Sequence, residues 1–272
     1  MKNPILSVDE LNEILANENI IILDCSTESN KAGLQSDFEK IKIKGARYFD
    51  LKNDFRDSES IFPNTLPNPE QFQINSRKLG INDSSKIILY DNLGVYHSPR
   101  VWWMFKIMGH KDVSVLNGGL PEWIKRKFPT QQEYDLEFNE GNFKSDFQYY
   151  MISDLNFIKQ NLENDEILVI DARNSKRFNS LEPEPRKNLR SGNIPNSINI
   201  PFEKVLNNGK FKEPENLKLV FKNINATSTK LIFSCGSGVT ACIVYLASEL
   251  VLENKKSLYD GSWTEWGTLE KI

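Results

Sequence analysis

The sequence predicts an α/β fold in two tandem domains, each a mostly parallel sheet with helices on both faces. Three features support this prediction: short apolar runs that do not alternate with polar residues, helical stretches between those runs, and the same order of elements in both halves of the chain. Continuous apolar runs are typical of strands covered on both faces, as in parallel sheets. The chain has 272 residues, enough for two domains with separate cores.

The first half opens with a helix followed by a strand. Ser7 and Glu10 have the spacing of a capping box, which predicts a helix that continues to about Leu15. The apolar run at residues 20–23 is a predicted strand that ends at Asp24.

The second half repeats this beginning. Ser153 and Asp154 precede a predicted helix to about Leu162, and the apolar strand at residues 167–170 ends at Asp171. A repeat this long indicates a duplicated domain rather than a solenoid, whose periods are shorter.

A further strand in each half leads through a loop into a helix. The first half has this strand at residues 86–91 and the second half at 230–235. Each half then closes with a short apolar strand, a glycine and a tryptophan, at residues 115–123 and 258–266. We predict domains at residues 1–128 and 149–272, joined by the polar segment 129–148 as a linker.

Composition excludes several classes of function. The net charge is −3, with 39% hydrophobic and 26% charged residues, which fits a globular protein and argues against nucleic acid or a membrane as partner. No apolar run is long enough to cross a bilayer. Residues 1–15 lack the features of a signal or transit peptide, so we expect a cytoplasmic protein, with mitochondria as the second candidate compartment.

Only three cysteines and two histidines are present. So few thiols do not make a disulfide framework, and a reducing compartment fits better. A zinc site of clustered histidines and cysteines is not expected. We expect neither a metal nor any other cofactor.

Cys235 lies at the predicted end of an apolar strand, where open parallel sheets bind their ligands. The glycines in the loop Gly236–Thr240 let the chain turn its N–H groups inward, and the following helix adds its partial positive charge. Both effects favour the nucleophilic thiolate. The alternative, a buried structural cysteine, is what we expect for Cys25 and Cys242.

The loop also distinguishes among cysteine chemistries. A cysteine phosphatase needs an arginine that closes the loop, and Ala241 stands at that position. A protease needs a histidine as base, and both histidines, His97 and His110, lie in the other half of the chain. The cysteine chemistry that remains is attack of the thiolate on a sulfur atom, which gives a persulfide.

Motifs along nearly the whole chain resemble those of the rhodanese superfamily. The loop Cys235–Ala241 is similar to the active-site loop of 3-mercaptopyruvate sulfurtransferases, which are close relatives of thiosulfate sulfurtransferases. Other matching motifs lie in both halves, at residues 99–105, 117–120, 171–173, 177–178, 182–186 and 260–263. The resemblance implies tandem rhodanese-like domains, the first catalytically silent because Asp91 replaces the cysteine and the second active.

The resemblance implies catalytic roles for Cys235 and Ser237. Arg177 and Arg186 match the arginines that hold the carboxylate of mercaptopyruvate, which the uncharged loop cannot neutralise. Ser237 would donate a hydrogen bond to the substrate, or instead satisfy backbone groups of the loop. The other expected substrate-binding residues are Gly236, Gly238, Val239, Thr240 and Tyr96.

Three of the surrounding residues carry more specific expectations. We expect Thr240 to cap the following helix and Trp263 to pack as a wall of the pocket. Tyr96 matches a tyrosine that the family's first domain contributes, which would put the site at the domain interface.

The sequence departs from the family at several positions. An Asp and a His of the family's first domain align with Lys52 and Asn64, so the enolate left by mercaptopyruvate lacks the family's proton donor. The motif His-Ile-Pro-Gly is replaced by residues 193–196 in the second half and 42–45 in the first.

Three functions stay open at this point. The leading one is an enzyme that moves a sulfane sulfur from 3-mercaptopyruvate, through a Cys235 persulfide, to a thiol or cyanide. A thioredoxin-like protein is a candidate acceptor. The second uses thiosulfate as sulfur donor, and the third is a weakly active sulfur carrier or protein-binding module.

Overall fold

A computed structural model describes residues 3–17, 19–30, 32–224 and 229–270. The elements up to residue 131 are β1 (Ile5–Leu6), α1 (Val8–Ile14), β2 (Ile20–Asp24), β3 (Lys42–Ile43), β4 (Ala46–Tyr48), α2 (Pro69–Lys78), β5 (Lys86–Tyr90), α3 (Ser98–Ile107), β6 (Val113–Leu116), α4 (Gly119–Lys125) and β7 (Thr130–Gln131). The remaining elements are β8 (Ile152–Ser153), α5 (Leu155–Gln160), β9 (Ile167–Asp171), α6 (Ser175–Phe178), β10 (Ile198–Asn199), β11 (Leu206–Asn207), β12 (Lys210–Phe211), α7 (Pro214–Val220), β13 (Lys230–Ser234), α8 (Thr240–Glu249), β14 (Lys256–Tyr259) and α9 (Ser262–Leu269). Two 3₁₀ turns cover Tyr149–Met151 and Phe202–Val205.

Two five-stranded sheets carry the fold, and their strand orders correspond. The first sheet has the order β1-β6-β5-β2-β4 and the second β8-β14-β13-β9-β10. Every neighbouring pair in both sheets is parallel. The predicted α/β fold with two mostly parallel sheets is therefore confirmed, and the repeat in the sequence is a repeat in the topology.

The described residues form two compact units. The first unit comprises Met1–Ser58, Leu66–Gln148 and Asn208–Phe211, and the second comprises Glu59–Thr65, Tyr149–Asn207 and Lys212–Ile272. Residues 129–148 belong to the first unit, where β7 pairs with β3 and Phe143 is buried. The segment Glu59–Thr65 comes from the first half of the sequence but belongs to the second unit.

Both faces of the first sheet are covered. In β5 the side chains alternate between the faces, yet all four residues from Ile87 to Tyr90 are fully buried. Ile88 and Tyr90 pack in one cluster with residues of α1 and α4. On α2 and α3, Phe72 and Phe105 make an edge-to-face contact with ring centroids 5.0 Å apart. In the described part of the chain, no helix has the length and apolar character that crossing a bilayer requires.

Local sequence signals explain where the helices begin. Ser7 and Glu10 form both hydrogen bonds of the predicted capping box, and Asp154 caps α5 by accepting from the N–H of Phe157 at 2.7 Å. These two helices end at Ile14 and Gln160, slightly earlier than the sequence suggested. In the altered family motif at residues 193–196, Asn196 has a φ of 59°, a conformation that glycine adopts freely and asparagine tolerates.

Both histidines are buried in the first unit. His97 is 1% exposed, and its Nε2 lies 3.0 Å from the hydroxyl of Thr27. Burial, aided by the charge of Lys52, lowers the pKa of His97 to about 3. Burial also lowers the pKa of His110, whose Nε2 lies 2.9 Å from the carbonyl oxygen of Ser85. Both rings are therefore neutral in the folded chain at pH 7.

These buried rings make the first unit sensitive to acid. The unfolded chain takes up a proton at His97 below pH ~6.5, whereas the folded chain does not, so the free energy of unfolding falls as the pH drops. We expect His97→Gln to reduce the stability lost between pH 7 and pH 5 by about 2 kcal/mol. Urea unfolding at the two pH values measures this difference, and equal losses in the variant and the wild type would contradict it.

Candidate active site

The loop that carries Cys235 follows the central strand of the second sheet. β13 ends at Ser234, so Cys235 is the first residue after the strand and not its last residue, as the sequence suggested. Residues 235–239 form the loop, and α8 begins at Thr240. Cys235 is 2% exposed. The loop lies at the carboxyl ends of the parallel strands, which is the edge of such a sheet at which ligands bind.

Ser262, the first residue of α9, holds this loop in place. Its hydroxyl oxygen accepts hydrogen bonds from the N–H of Cys235 at 3.2 Å and the N–H of Gly238 at 3.1 Å. The same hydroxyl donates to the carbonyl oxygen of Tyr259 at 2.8 Å. Ser262 has a φ of 52°, an unusual conformation for a residue other than glycine. One hydroxyl group thus fixes both ends of the turn that follows the thiol.

The N-terminus of α9 also engages two carbonyl groups of the loop. The N–H of Trp263 donates to the carbonyl oxygen of Cys235 at 3.0 Å. The N–H of Thr264 donates to the carbonyl oxygen of Gly236 at 3.0 Å, and the Thr264 hydroxyl donates to the same atom.

Several N–H groups of the loop remain available to an anion. Within the described residues, no hydrogen-bond acceptor is found for the N–H groups of Gly236, Ser237, Val239, Thr240 and Ala241. These donors lie at the N-terminus of the ten-residue helix α8, which carries a partial positive charge. The loop therefore has the character of an anion-binding site.

Two arginines reach the loop at the same residue. A β-carbon placed on Gly236 would lie 3.0 Å from Nη2 of Arg177 and 3.6 Å from Nη1 of Arg186. Glycine leaves room for both guanidinium groups beside the backbone. The structure therefore brings together Cys235, Arg177 and Arg186, three residues that the sequence singled out.

A buried ionic network holds Arg177. Glu184 accepts from Nη2 of Arg177 at 2.5 Å and from Nη1 of Arg173 at 2.7 Å. Arg173 in turn contacts Asp171 at 2.6 Å. The side chains of Glu184 and Arg173 are 0% exposed, so their positions are strongly constrained. Burial raises the pKa of Asp171, while the charge of Arg173 acts against that rise.

Ser237 contacts two side chains. Its hydroxyl oxygen lies 2.9 Å from Nδ2 of Asn64 and 3.0 Å from Nη2 of Arg186. Nδ2 of Asn64 also lies 3.3 Å from the carbonyl oxygen of Ser237. Asn64 therefore stands next to the loop, at the position where the family has a histidine.

One role expected from the sequence, the capping of α8 by Thr240, needs correction. Thr240 is the first residue of α8 and makes no capping bond; Val239 is at the cap position and has no side-chain acceptor. The ring of Trp263 lies 4.6 Å from the guanidinium carbons of both Arg173 and Arg190, and its expected place as a wall of the pocket stays a prediction. Its indole N–H donates to the carbonyl oxygen of Arg190 at 2.9 Å.

The other two cysteines are fully buried. Cys242 lies on α8, and its thiol sulfur is 3.2 Å from the carbonyl oxygen of Gly238. Cys25 follows β2, and burial raises its pKa well above the usual value. Among the described residues, no three His, Cys, Asp or Glu side chains are arranged to hold a metal ion.

The corresponding loop of the first unit is occupied by its own side chain. One carboxylate oxygen of Asp91 accepts from the N–H groups of Tyr96, His97 and Ser98 at 2.9 Å each, and from the Ser98 hydroxyl at 2.7 Å. The other oxygen accepts from the N–H of Leu93 at 3.1 Å. Burial raises the pKa of Asp91. The side chain of Tyr96 is buried in this unit, and its role in binding substrate stays a prediction.

Three residues of the site, Ser262, Thr264 and Glu184, do not stand out from the sequence as functional residues. Ser262 and Glu184 lie within motifs that were recognised, but no sequence pattern shows that one hydroxyl bonds to two N–H groups of a distant loop. The comparable position in the first unit is Gly119, with a φ of 51°. The sequence signal for the role of Ser262 is that a serine stands at a position where the first unit has a glycine with a positive φ.

Substitution of Ser262 separates its hydroxyl from its backbone conformation. We expect Ser262→Gly to lower the free energy of unfolding by about 1–3 kcal/mol because two buried N–H groups lose their acceptor. We expect Ser262→Ala to cost about 1 kcal/mol more, since alanine is strained at this positive φ. Urea unfolding of both variants measures the order, and an alanine variant as stable as the glycine variant would contradict it.

Comparisons with known proteins identify the family of the chain. The chain is 36% identical over 257 residues to 3-mercaptopyruvate sulfurtransferase of Homo sapiens, covering 92% of this chain and 86% of that protein. It is 35% identical to the thiosulfate sulfurtransferase of Cricetulus griseus, covering 85% and 79%. The crystal structure of SseA from Escherichia coli, one of the 3-mercaptopyruvate sulfotransferases, superposes with a TM-score of 0.84 at 30% identity, covering 96% of this chain and 99% of that one. Residues 7–126 and 154–269 each match the rhodanese-like domain, and the chain belongs to the rhodanese-like family.

Proposed function

We propose that this protein is a sulfurtransferase that takes a sulfur atom from 3-mercaptopyruvate and carries it as a persulfide on Cys235. The observation that carries the proposal is the convergence of Arg177 and Arg186 on Gly236, directly beside the cysteine. Mercaptopyruvate has a carboxylate next to its carbonyl group, and two guanidinium groups suit a planar carboxylate. Relatives that are 3-mercaptopyruvate sulfurtransferases support the same substrate.

The reaction proceeds in two half-reactions. In the first, the Cys235 thiolate attacks the sulfur of mercaptopyruvate; the S–S bond forms, the C–S bond breaks, and its electron pair leaves with pyruvate as the enolate. In the second, a thiol or cyanide attacks the outer sulfur of the persulfide and regenerates the thiolate. The unpaired N–H groups of the loop and the N-terminus of α8 stabilise the negative charge on sulfur in between.

The remaining assignments follow from this cycle. Ser237 faces the substrate carbonyl. The sulfur acceptor is a thiol compound or a thioredoxin-like protein of a reducing compartment, and the cytoplasm is the first candidate for that compartment. Backbone groups, rather than side chains, surround the sulfur atom; they belong to Gly236, Gly238, Val239 and Thr240.

Thiosulfate is the second candidate donor. Asn64 favours it, because asparagine cannot supply a proton and sulfite leaves without needing one. The similarity to a thiosulfate sulfurtransferase points the same way. The uncharged loop favours mercaptopyruvate.

Intact-mass measurement after mixing with each donor tests the function. We expect 3-mercaptopyruvate to add the mass of one sulfur atom to the wild type and nothing to Cys235→Ser, because Cys235 begins the anion-binding loop whereas Cys242 is fully buried on α8 with its sulfur at the carbonyl oxygen of Gly238. Cys242→Ser is the control that should still gain the sulfur. A gain from thiosulfate alone would favour the second donor, and no gain from either would leave a binding module.

Conservative substitution of the arginines tests the recognition of the carboxylate. We expect Arg186→Lys and Arg177→Lys to raise KM for mercaptopyruvate roughly 10- to 100-fold, since lysine cannot reproduce two charge-assisted hydrogen bonds. Arg126→Lys, on the surface of the first unit, is the matched control. Unchanged KM values in both variants would remove the arginines from the proposed site.

A further inference from the structure

The hydroxyl of Ser237 has both of its acceptor positions filled by donors. A hydroxyl group has two lone pairs and one hydrogen. Nη2 of Arg186 can only donate, and it lies 3.0 Å from the Ser237 oxygen. The amide of Asn64 lies 2.9 Å from the same oxygen. If the amide nitrogen faces Ser237, the hydroxyl hydrogen has to point to a third partner.

The environment of Asn64 determines which end of its amide faces Ser237. The atom that contacts the hydroxyl also lies 3.3 Å from the carbonyl oxygen of Ser237. A carbonyl oxygen only accepts, so the facing atom must be the nitrogen. Asn64 is 8% exposed, and the two contacts with Ser237 hold its amide in this buried position.

We propose that Asn64 and Arg186 together fix Ser237 as a permanent hydrogen-bond donor toward the substrate oxygen, which makes Asn64 a positioning residue for mercaptopyruvate. This inference rests on the proposed function, since it assigns a purpose to the Ser237 hydroxyl within that reaction. Asn64 thus has a definite task, different from that of a base that accepts and returns a proton.

The donor acts where charge develops. When the C–S bond breaks, its electron pair becomes the C=C bond of the enolate and the carbonyl electrons move to oxygen. Ser237 stabilises that oxygen with a hydrogen bond and keeps its own proton. Water then protonates carbon to give pyruvate, and the thiol hydrogen of the substrate stays on the outer sulfur or passes to solvent. Sulfite leaving thiosulfate already carries its charge, so this donor contributes less there.

Asn64→Asp tests the direction of the hydrogen bond. The new side chain has nearly the same shape but accepts where the amide donated, so the Ser237 hydrogen turns toward it and away from the substrate. We expect kcat for persulfide formation from mercaptopyruvate to fall by about 10²-fold, with a much smaller fall for thiosulfate. The added negative charge beside Arg186 also raises KM, but it does so for both anionic donors.

Combination with Ser237→Ala shows whether Asn64 acts through Ser237. The double variant should be no slower than Ser237→Ala alone, because the hydroxyl is already absent. Asn208→Asp is the matched control: this exposed asparagine of the first unit has a φ of 50°, and its change should leave both rates unaltered. Thermal melting verifies that each variant is folded.

The outcomes separate this inference from the proposed function. If the wild type gains no sulfur from either donor, the function itself is overturned. If the wild type gains sulfur from mercaptopyruvate and Asn64→Asp matches its rate, only the role of Asn64 is overturned. An equal fall in kcat with both donors, or a further loss in the double variant, would also overturn it.

Discussion

The site depends on the hydroxyl group of Ser262. It accepts from the N–H groups of Cys235 and Gly238 and donates to the carbonyl of Tyr259, so all three of its hydrogen-bonding positions are used. The next two residues of α9 take the carbonyl groups at the start of the loop. With those carbonyls engaged, the loop can leave its other N–H groups to a ligand. The conformation of the loop after Cys235 is thus fixed by residues at the end of the neighbouring strand β14 and at the start of α9.

Each unit has a loop of N–H groups that attracts negative charge, and the two loops differ in what accepts from those N–H groups. In both, a loop of N–H groups precedes a helix and attracts negative charge. In the first unit the Asp91 side chain accepts from these N–H groups, in a loop of seven residues between β5 and α3. In the second unit the loop has five residues between β13 and α8, and an uncharged set of side chains follows Cys235. A carboxylate accepts from the N–H groups of the first loop, whereas in the described residues no carboxylate takes that place in the second loop.

Much of the fold could be predicted from the sequence because its signals are local or repeated. The apolar runs gave the central strands, the capping residues Ser7 and Asp154 gave the helix starts, and the recurrence of both patterns gave the duplication. Helix ends were less accurate, since they depend on packing rather than on a single residue. The sheet order could not be read locally, because it depends on which strands pair across the chain.

The candidate site divides along the same line. Cys235, Arg177 and Arg186 carry recognisable chemistry and stand in motifs, so the sequence singled them out. Ser262 and Glu184 act by holding other groups, and their importance appears only when distances are known. Asn64 was noticed as a missing histidine, but its contact with Ser237 requires a chain segment from the first half of the sequence to belong to the second unit.

That exchange of a segment limits how the gene duplication can be taken apart. A protein cut between residues 128 and 149 would keep Cys235, Arg177, Arg186 and the whole second sheet, yet would leave Glu59–Thr65 behind. The two halves of the sequence are therefore not structurally independent. The first half of the sequence thus supplies the asparagine whose amide donates to the Ser237 hydroxyl, and the second half expressed alone would lack that hydrogen bond.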